Sequence, residues 1–580
     1  MRLAVEESAG AASGTARLWR GVALVAALLL LNLMLTFHNV WPTIFVRPSG
    51  ELSIELAGTL LLLAAWRGLR GAPPRGLLVV LAIAFLLGTL GRYAEVTAPA
   101  LYGREVNLYW DLPHVTSLTG MVTRVASAWM ILALIVGIVA GLASLYFVAL
   151  WSLRRVAGAL ESPHMRVALS IAASAVIVGF TLENLREQRP VIPRFARPIS
   201  QTYAEQFAKV GRAITEHGAL RELPPSPALS STLSVIGRSD VIVVFVESYG
   251  RVAYDRHDFF DALAPARAAL ADAARDTGRS IASGYVLSPT FGGGSWLAHL
   301  NFLSGVEVRD TGRAQLLMTQ TRRTFGNALA EHGYRRVGLM PGLKWNWPEG
   351  VFYGFDQIYD DASLDYRGPS FGWWRIPDQF SLAKLDELEL APRAAGASAR
   401  EPVFTFFPTI NTHTPFRPTP PYQADWSRML SANPFDEAAL RQSLQQQPGW
   451  NDMAESYQGS VAYSLQTLAG YLRKQPRDDL IIIVVGDHQP PAMVSGLNAP
   501  WDVPVHIITS NASVLATLQG CGFVPGVVPA PEALGGMYQL APTLLYAFGT
   551  AAPQAGAMGS SGKCPLGHPT DANGQHAGAS

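Results

Sequence analysis

Long apolar runs occur only in the first 183 of the 580 residues, and this asymmetry constrains the chain more than any other feature. Trp19–Phe37 reads WRGVALVAALLLLNLMLTF, which is long enough to cross a bilayer core. Leu52–Trp66 and Arg75–Gly91 are shorter, Val125–Leu153 is long, and Val167–Leu182 is apolar again. Five such runs in tandem, with little amphipathic period, predict five spanning helices rather than five buried core helices. Hydrophobic residues make up 49% and charged residues 15%, against roughly 25% charged in soluble domains. A disordered chain is excluded, and the composition argues against a purely soluble one. Arginines fix the expected orientation. Arg2, Arg17 and Arg20 precede the first run, Arg67, Arg70 and Arg75 separate the second and third, and Arg154, Arg155 and Arg166 separate the fourth and fifth. The positive-inside rule then makes the N-terminus cytoplasmic, and five crossings put everything after Glu183 outside.

Past the last run the pattern changes. Residues 184–237 are polar and proline-bearing, with helical spacing over Tyr203–His217, and read as a linker with a juxtamembrane helix. From Ser239 to about Gly549, short β-rich runs alternate with amphipathic segments. Val241–Val246, Ile281–Leu287, Arg336–Met340, Val403–Pro408, Leu480–Val485 and Val503–Ile508 are expected strands. Asp258–Thr277, Thr324–His332, Asn451–Lys474 and Ala512–Leu518 are expected helices. Continuous apolar strands separated by helices predict an α/β domain with a mostly parallel central sheet and helices on both faces. The expected organisation is a transmembrane domain over 1–183, the linker over 184–237, a catalytic domain over 238–550 and a disordered tail over 551–580. Lys+Arg 45 against Asp+Glu 44 leaves no basic excess for nucleic acid. Two cysteines, Cys521 and Cys564, exclude a disulfide-dense scaffold and a Cys-ligated zinc cluster. Their pairing is left open.

Ligands of open α/β sheets bind at the carboxyl ends of strands, and several polar clusters fall there. Glu247 ends DVIVVFV, where a carboxylate is either desolvated at a cost or bound to a cation. Asp487 and His488 follow LIIIVVG and offer an oxygen and an imidazole to a divalent metal. Thr290-Phe291-Gly292-Gly293-Gly294-Ser295 precedes the apolar WLAHLNFL. There, glycines permit close backbone approach and a helix start aims free N–H groups at an anion. Ser295 is a candidate nucleophile and metal ligand as well as a helix cap; Thr290 is its rival. His299 shares a helix face with Ser295 and reads as packing, and His506 as core. Asn411 and His413, in the NTHTPF turn after VFTFFP, are candidates to hold a phosphate or protonate a leaving group. Lys344 and Trp345 begin one aromatic-rich loop and FGWWR forms another; both could line a headgroup pocket.

Together, five N-terminal spans, VESYG, the Gly-rich loop with its hydroxyl, NTHTPF, FGWWRIPDQF and VVGDHQPP resemble the lipoteichoic acid synthase family, within the sulfatase and alkaline-phosphatase superfamily. The resemblance implies a membrane-anchored transferase with an extracytoplasmic catalytic domain, working through a covalent phospho-enzyme. It implies Glu247, Ser295, Asp487 and His488 as metal ligands, Ser295 as nucleophile, and His413, Lys344, Trp345 and Asn411 at the substrate. Manganese is the expected metal, with zinc or magnesium as alternatives. The expected donor is a membrane phospholipid, phosphatidylglycerol first, and the acceptor an envelope glycan or glycolipid. Two departures stand out. The family's usual nucleophile is Thr where this chain has Ser295, and its Trp-x-Arg headgroup contact reads Trp345-Asn346-Trp347 here. The arginine-rich, lysine-poor composition suggests a GC-rich bacterial genome, and the expected location is the bacterial inner (cytoplasmic) membrane with the catalytic domain extracytoplasmic or periplasmic. The alternatives are a phosphodiesterase or sulfatase-like hydrolase, a phosphoethanolamine transferase, or an inactive scaffold of the same fold.

Overall fold

The computed structural model describes residues 2–40, 43–102, 106, 108, 127–185, 194–217, 223–344, 347, 350–372, 375–391, 400–447, 449, 452–475, 477–549 and 564–566. The chain divides into two compact units, residues 1–100 with 105–220, and residues 101–104 with 221–580.

The first unit is helical: α1 Arg2–Thr36, α2 Ile54–Arg70, α3 Arg75–Tyr102, α4 Ala128–Ala159, α5 Pro163–Asn184 and α6 Ile199–His217. Four stretches are long and apolar enough to cross a membrane: Trp19–Thr36, Arg75–Leu101, Ala128–Ala159 and Pro163–Asn184. The second expected span is the exception. Its helix α2 has 17 residues, with Glu55 in the first turn and Arg67 and Arg70 in the last. Between Glu55 and Arg67 the apolar stretch measures roughly 17 Å at about 1.5 Å per residue, short of a bilayer core of about 30 Å. Buried Arg92 of α3 donates from Nε to Phe37 O at 3.0 Å and from Nη1 to Glu95 at 3.1 Å, so its charge is paired where it is taken from water. Helix α6 docks through Tyr203 Oη to Leu87 O at 2.8 Å and through Ser200, whose N–H and Oγ donate to Glu55 at 3.1 and 3.0 Å.

In the second unit the strands are β1 Asp240–Val246, β2 Ser280–Leu287, β3 Arg335–Leu339, β4 Gln357–Tyr359, β5 Val403–Pro408, β6 Leu480–Gly486, β7 Asp502–Thr509, β8 Val524–Pro525 and β9 Ala533–Gly536. They form one nine-stranded sheet in the order β8–β2–β7–β6–β1–β5–β3–β4, with β9 also on β2. Every pairing from β6 through β4 is parallel. Strand β7 runs antiparallel to both β6 and β2. The six expected strands are all present; β4, β8 and β9 are two to four residues long and carry no apolar run that marks them in sequence.

Alternation explains the core. Val241, Val243 and Phe245 of β1, with Ile481, Ile483 and Val485 of β6, join one apolar layer. That layer also holds residues of α8 Ser295–Ser304, α9 Phe325–Ala330, α12 Ala512–Gly520 and α13 Leu540–Phe548. Ile242, Val244 and Val246, with Ile482 and Val484, join the opposite layer, which holds residues of α7 His257–Asp276, α10 Asp378–Leu385 and α11 Ala454–Lys474. Successive side chains of a strand point to opposite faces, so strands buried on both sides are apolar throughout. A disulfide joins Cys521 to Cys564. The rest of the expected disordered tail, 551–563 and 567–580, lies outside the described residues.

Candidate metal and nucleophile site

Strands β1 and β6 are neighbours in register, Val246 opposite Gly486, so the residues that follow them leave the sheet side by side. This brings Glu247 against Asp487 and His488, and one ligand atom from each lies within 4.8 Å of the others. All three are buried. Backbone contacts hold them in place. Glu247 N–H donates to Thr409 Oγ1 at 3.1 Å, at the end of the other strand flanking β1. Asp487 Oδ1 accepts the N–H groups of Ser248 and His488, each at 2.7 Å. Ser248 makes its bond from a left-handed conformation, φ 58°, which L residues rarely adopt. Ser288 Oγ donates to Asp487 O at 2.5 Å.

His488 is oriented from behind. Its Nδ1–H donates to Gln489 O at 2.7 Å, so in the neutral ring the Nε2 lone pair faces the carboxylates, 3.4 Å from Glu247 and 3.6 Å from Asp487. A carbonyl behind an imidazole is the usual way a metal-ligating histidine is held in the right tautomer. Protonation follows the same geometry. Burial alone raises Glu247, but the His488 charge and hydrogen bond, then His413, hold it well below the ordinary carboxylate range. Burial, then the Glu247 charge, pushes Asp487 well above that range. His488 is disfavoured as a cation by burial, yet Asp487 and Glu247 push it up to about 9. Two buried carboxylates thus demand compensating positive charge in a space where water supplies little. Two oxygens and one imidazole nitrogen, all buried and convergent, fit a divalent cation, with the donor chemistry of manganese, zinc or magnesium.

The Gly-rich loop delivers the hydroxyl. Gly292, Gly293 and Gly294 have φ of 66°, 144° and 79°, three consecutive conformations that favour glycine. This turn places Ser295, first residue of α8, with Oγ donating to Glu247 Oε2 at 2.9 Å and 3.2 Å from His488 Nε2. Thr290 takes another direction, its Oγ1 donating to Gly293 O at 2.5 Å. His299, one turn beyond Ser295, packs edge-on between the rings of Phe245 and Phe406, and burial pushes it down to about 4. His506 is in the core, as read from the sequence, and bonded there. Its Nδ1 lies 2.7 Å from Ser283 Oγ, and its Nε2 lies 3.2 Å from the hydroxyls of Tyr249 and Tyr254.

The loop after β5 supplies His413. Its Nδ1–H donates to Thr414 O at 2.7 Å, and its charge is felt by Glu247. Asn411 points to the protein: its Oδ1 accepts the Asp378 N–H at 2.7 Å. Lys344 is exposed on the loop after β3, and Trp345 lies outside the described residues, as do Asn346 and the Trp373–Trp374 pair. Sequence reasoning passed over Thr409 and Ser288. Their partners are far along the chain, and nothing local marks a Thr or Ser that bonds a backbone group 160 to 200 residues away.

The sulfatase family model matches residues 240–506. No curated protein sequence matches the chain. Among solved structures, the chain is similar to the integral membrane lipooligosaccharide phosphoethanolamine transferase A from Neisseria meningitidis, at 13% identity and TM-score 0.42, over 86% of this chain and 94% of that one. It is similar to the lipoteichoic acid synthase LtaP from Listeria monocytogenes, at 12% identity and TM-score 0.35, over 57% and 75%. The zinc complex of the C-terminal periplasmic domain of EcEptC from Escherichia coli matches at 13% identity and TM-score 0.36, over 57% and 87%. The family match agrees with the resemblance drawn from the motifs at the level of the superfamily. Residues 240–506, which the sulfatase family model matches, hold the mostly parallel sheet with the Glu247, Asp487 and His488 trio at its carboxyl edge, and they follow a set of apolar helices in the chain.

Proposed function

We propose that the protein is a membrane-anchored, metal-dependent transferase that moves phosphoglycerol, or a similar phospho-headgroup, from a membrane phospholipid to an envelope glycan or glycolipid. One observation carries the reading: the Ser295 hydroxyl sits between the Glu247 carboxylate and the His488 imidazole, at 2.9 and 3.2 Å. A hydroxyl so placed is aligned to lose its proton and attack a phosphorus. A divalent cation bound by Glu247, Asp487 and His488 would favour the alkoxide and neutralise a phosphate oxygen.

The chain's own residues divide the remaining work. Glu247 accepts the hydrogen bond that orients Oγ. As the Ser295 Oγ–P bond forms, Oγ releases its proton to solvent, the P–O bond to the lipid alcohol breaks, and His413 supplies a proton to the departing oxygen. The acceptor hydroxyl then attacks the phosphoserine and passes its proton to His413, while Oγ leaves and takes a proton back from solvent. Ser295 is the first residue of α8, and free N–H groups at a helix start favour phosphate oxygens. Confining enzyme and lipid donor to one surface raises their effective concentration. With water as acceptor the same site would be a phosphodiesterase, so the products decide between the two.

The orientation belongs to the same proposal. A cytoplasmic N-terminus and an extracytoplasmic catalytic domain require an odd number of crossings, which the four helices long and apolar enough to span do not supply by themselves. The Cys521–Cys564 disulfide supports an oxidising compartment for the catalytic domain.

The test is mass spectrometry of the Ser295 peptide after incubating detergent-purified protein with Mn²⁺ or Zn²⁺ and phosphatidylglycerol or phosphatidylethanolamine, followed by an acid quench. A glycerophosphoryl or phosphoethanolamine adduct on Ser295, absent from Ser295→Ala, supports the transferase and names the donor. Release of a free headgroup phosphate with no acceptor dependence turns the reading to a hydrolase. Neither adduct nor bound metal leaves an inactive scaffold.

A further inference from the structure

Helix α10 begins with two buried polar residues, and both reach away from their own helix. Asp378 is 1% exposed; its Oδ1 accepts the Ile410 N–H at 2.9 Å and its Oδ2 accepts the Asn411 N–H at 3.2 Å. Asn411 returns the bond, its Oδ1 accepting the Asp378 N–H at 2.7 Å. Gln379, also fully buried, holds Gln423 twice: Nε2 donates to Gln423 O at 2.6 Å, and Oε1 accepts the Gln423 N–H at 3.0 Å. Two adjacent side chains therefore grip both ends of the segment 410–423, the stretch that carries His413. From the other side, Thr409 is tied to the Glu247 N–H.

We infer that Asp378 and Gln379 are positioning residues that clamp the 410–423 loop so that His413 stands over the Glu247, Asp487 and His488 trio. This rests on the reading of His413 as a substrate-facing group. The chemistry argues for a dedicated clamp rather than general packing. Among the described residues Asp378 forms no ion pair with Lys, Arg or His, although a buried carboxylate without one is costly. Its two oxygens instead serve two successive amides of the loop. An asparagine in its place would offer one acceptor and turn an NH₂ toward the second N–H, so the pattern calls for a carboxylate. A loop held at both ends by paired hydrogen bonds keeps His413 within the few tenths of an ångström that a proton donor needs.

The experiment uses the full chain in detergent with Mn²⁺ and has two readouts. Hydrogen exchange reads the clamp directly. In Asp378→Asn the peptide covering Ile410–Phe416 should exchange at least ten-fold faster, while the Ser295 peptide and the bound Mn²⁺ stay as in the wild type. Kinetics read its consequence. Asp378→Asn should lower kcat/KM by about 10- to 100-fold, and Asp378→Asn/His413→Ala should be no slower than His413→Ala alone. Unchanged exchange of Ile410–Phe416, or a kinetic loss that multiplies with that of His413→Ala, overturns the inference. If His413→Ala keeps full turnover, the catalytic reading of His413 fails, and exchange still decides whether the clamp exists. Should Asp378→Asn not fold, Asn411→Ala removes the reciprocal bond from the loop side and is judged by the same two readouts.

Discussion

The Ser295 hydroxyl donates a 2.9 Å hydrogen bond to Oε2 of Glu247, a residue 48 positions earlier at the end of a different strand. The bond exists because three glycines turn the chain between β2 and α8 and bring Ser295 to the carboxyl end of β1. It ties the candidate nucleophile to the candidate metal ligand, so the two are separable by mutation. Ser295→Ala should abolish the lipid-derived adduct and lower turnover by at least about 10³-fold, while Mn²⁺ stoichiometry by elemental analysis remains near the wild type. Ser295→Thr keeps a hydroxyl and should retain measurable turnover. Adduct formation persisting in Ser295→Ala would move the nucleophile elsewhere.

Metal binding should show as stability. Glu247 and Asp487 are two buried carboxylates within 4.8 Å of each other and of His488. A cation that binds only the folded state adds about 2.7 kcal/mol at a hundred times its Kd. Titrating Mn²⁺ or Zn²⁺ should raise Tm, and EDTA should reverse the rise. Glu247→Gln and Asp487→Asn should each lose the response. A metal-dependent rise that survives in both variants places the ion at another site.

Ser248 holds φ at 58° so that its N–H can reach Asp487 Oδ1. Glycine adopts that conformation freely, and a β-branched residue strains it by roughly 1–3 kcal/mol. Ser248→Gly should keep most activity and stability, whereas Ser248→Val should lower both the unfolding midpoint in urea and metal affinity. Equal behaviour of the two would show that the backbone conformation does not matter there.

Acid should weaken the second unit through His506. Burial holds this imidazole down at about 3, with the nearby Arg267 acting in the same direction, against an ordinary value of about 6.5. The unfolded chain therefore binds a proton below pH 6.5 that the native state refuses until about pH 3. Stability from this group is complete above pH 6.5 and falls by about 1.4 kcal/mol per pH unit as pH drops through that window. His506→Gln should start less stable at pH 8 and decline less steeply toward acid in denaturant titrations. Parallel pH profiles for the two proteins would remove His506 as the cause.

The disulfide closes a separation of 43 residues, for which chain-entropy estimates give about 4 kcal/mol. Reduction, or Cys521→Ser with Cys564→Ser, should lower Tm by several degrees without altering the metal response. An unchanged Tm would mean that the closed segment is equally restricted without the bond.

The membrane half shows what a linear pattern conveys and where it stops. Four of five apolar runs form helices long enough to span, because hydropathy over some twenty residues is a local property. Helix α2 fell short through Glu55 and Arg67, which bound its apolar stretch. In the second unit, the six main strands were legible because double-sided burial demands uninterrupted apolar residues, as in Val241–Val246 and Leu480–Val485. Strands β4, β8 and β9 carry no such run; they exist as edge pairings to strands already in place.

Order along the chain marks the residues at and beyond the ends of buried strands, and so the carboxylates, imidazoles and hydroxyls that are candidates for chemistry: Glu247, Asp487, His488, Ser295 and His413. Their company is set by the pairing of strands and the turning of loops. Adjacency of β1 and β6, separated by more than 230 residues, set Glu247 beside Asp487. The three positive-φ glycines selected Ser295 over Thr290 as the hydroxyl that meets them. Asn411, expected at the substrate, was drawn to Asp378. The physical reason is common to all three. Residue type is written along the chain, but a hydrogen bond or ligand shell depends on which strands pair and how a loop turns, and those follow from burying the whole core at once.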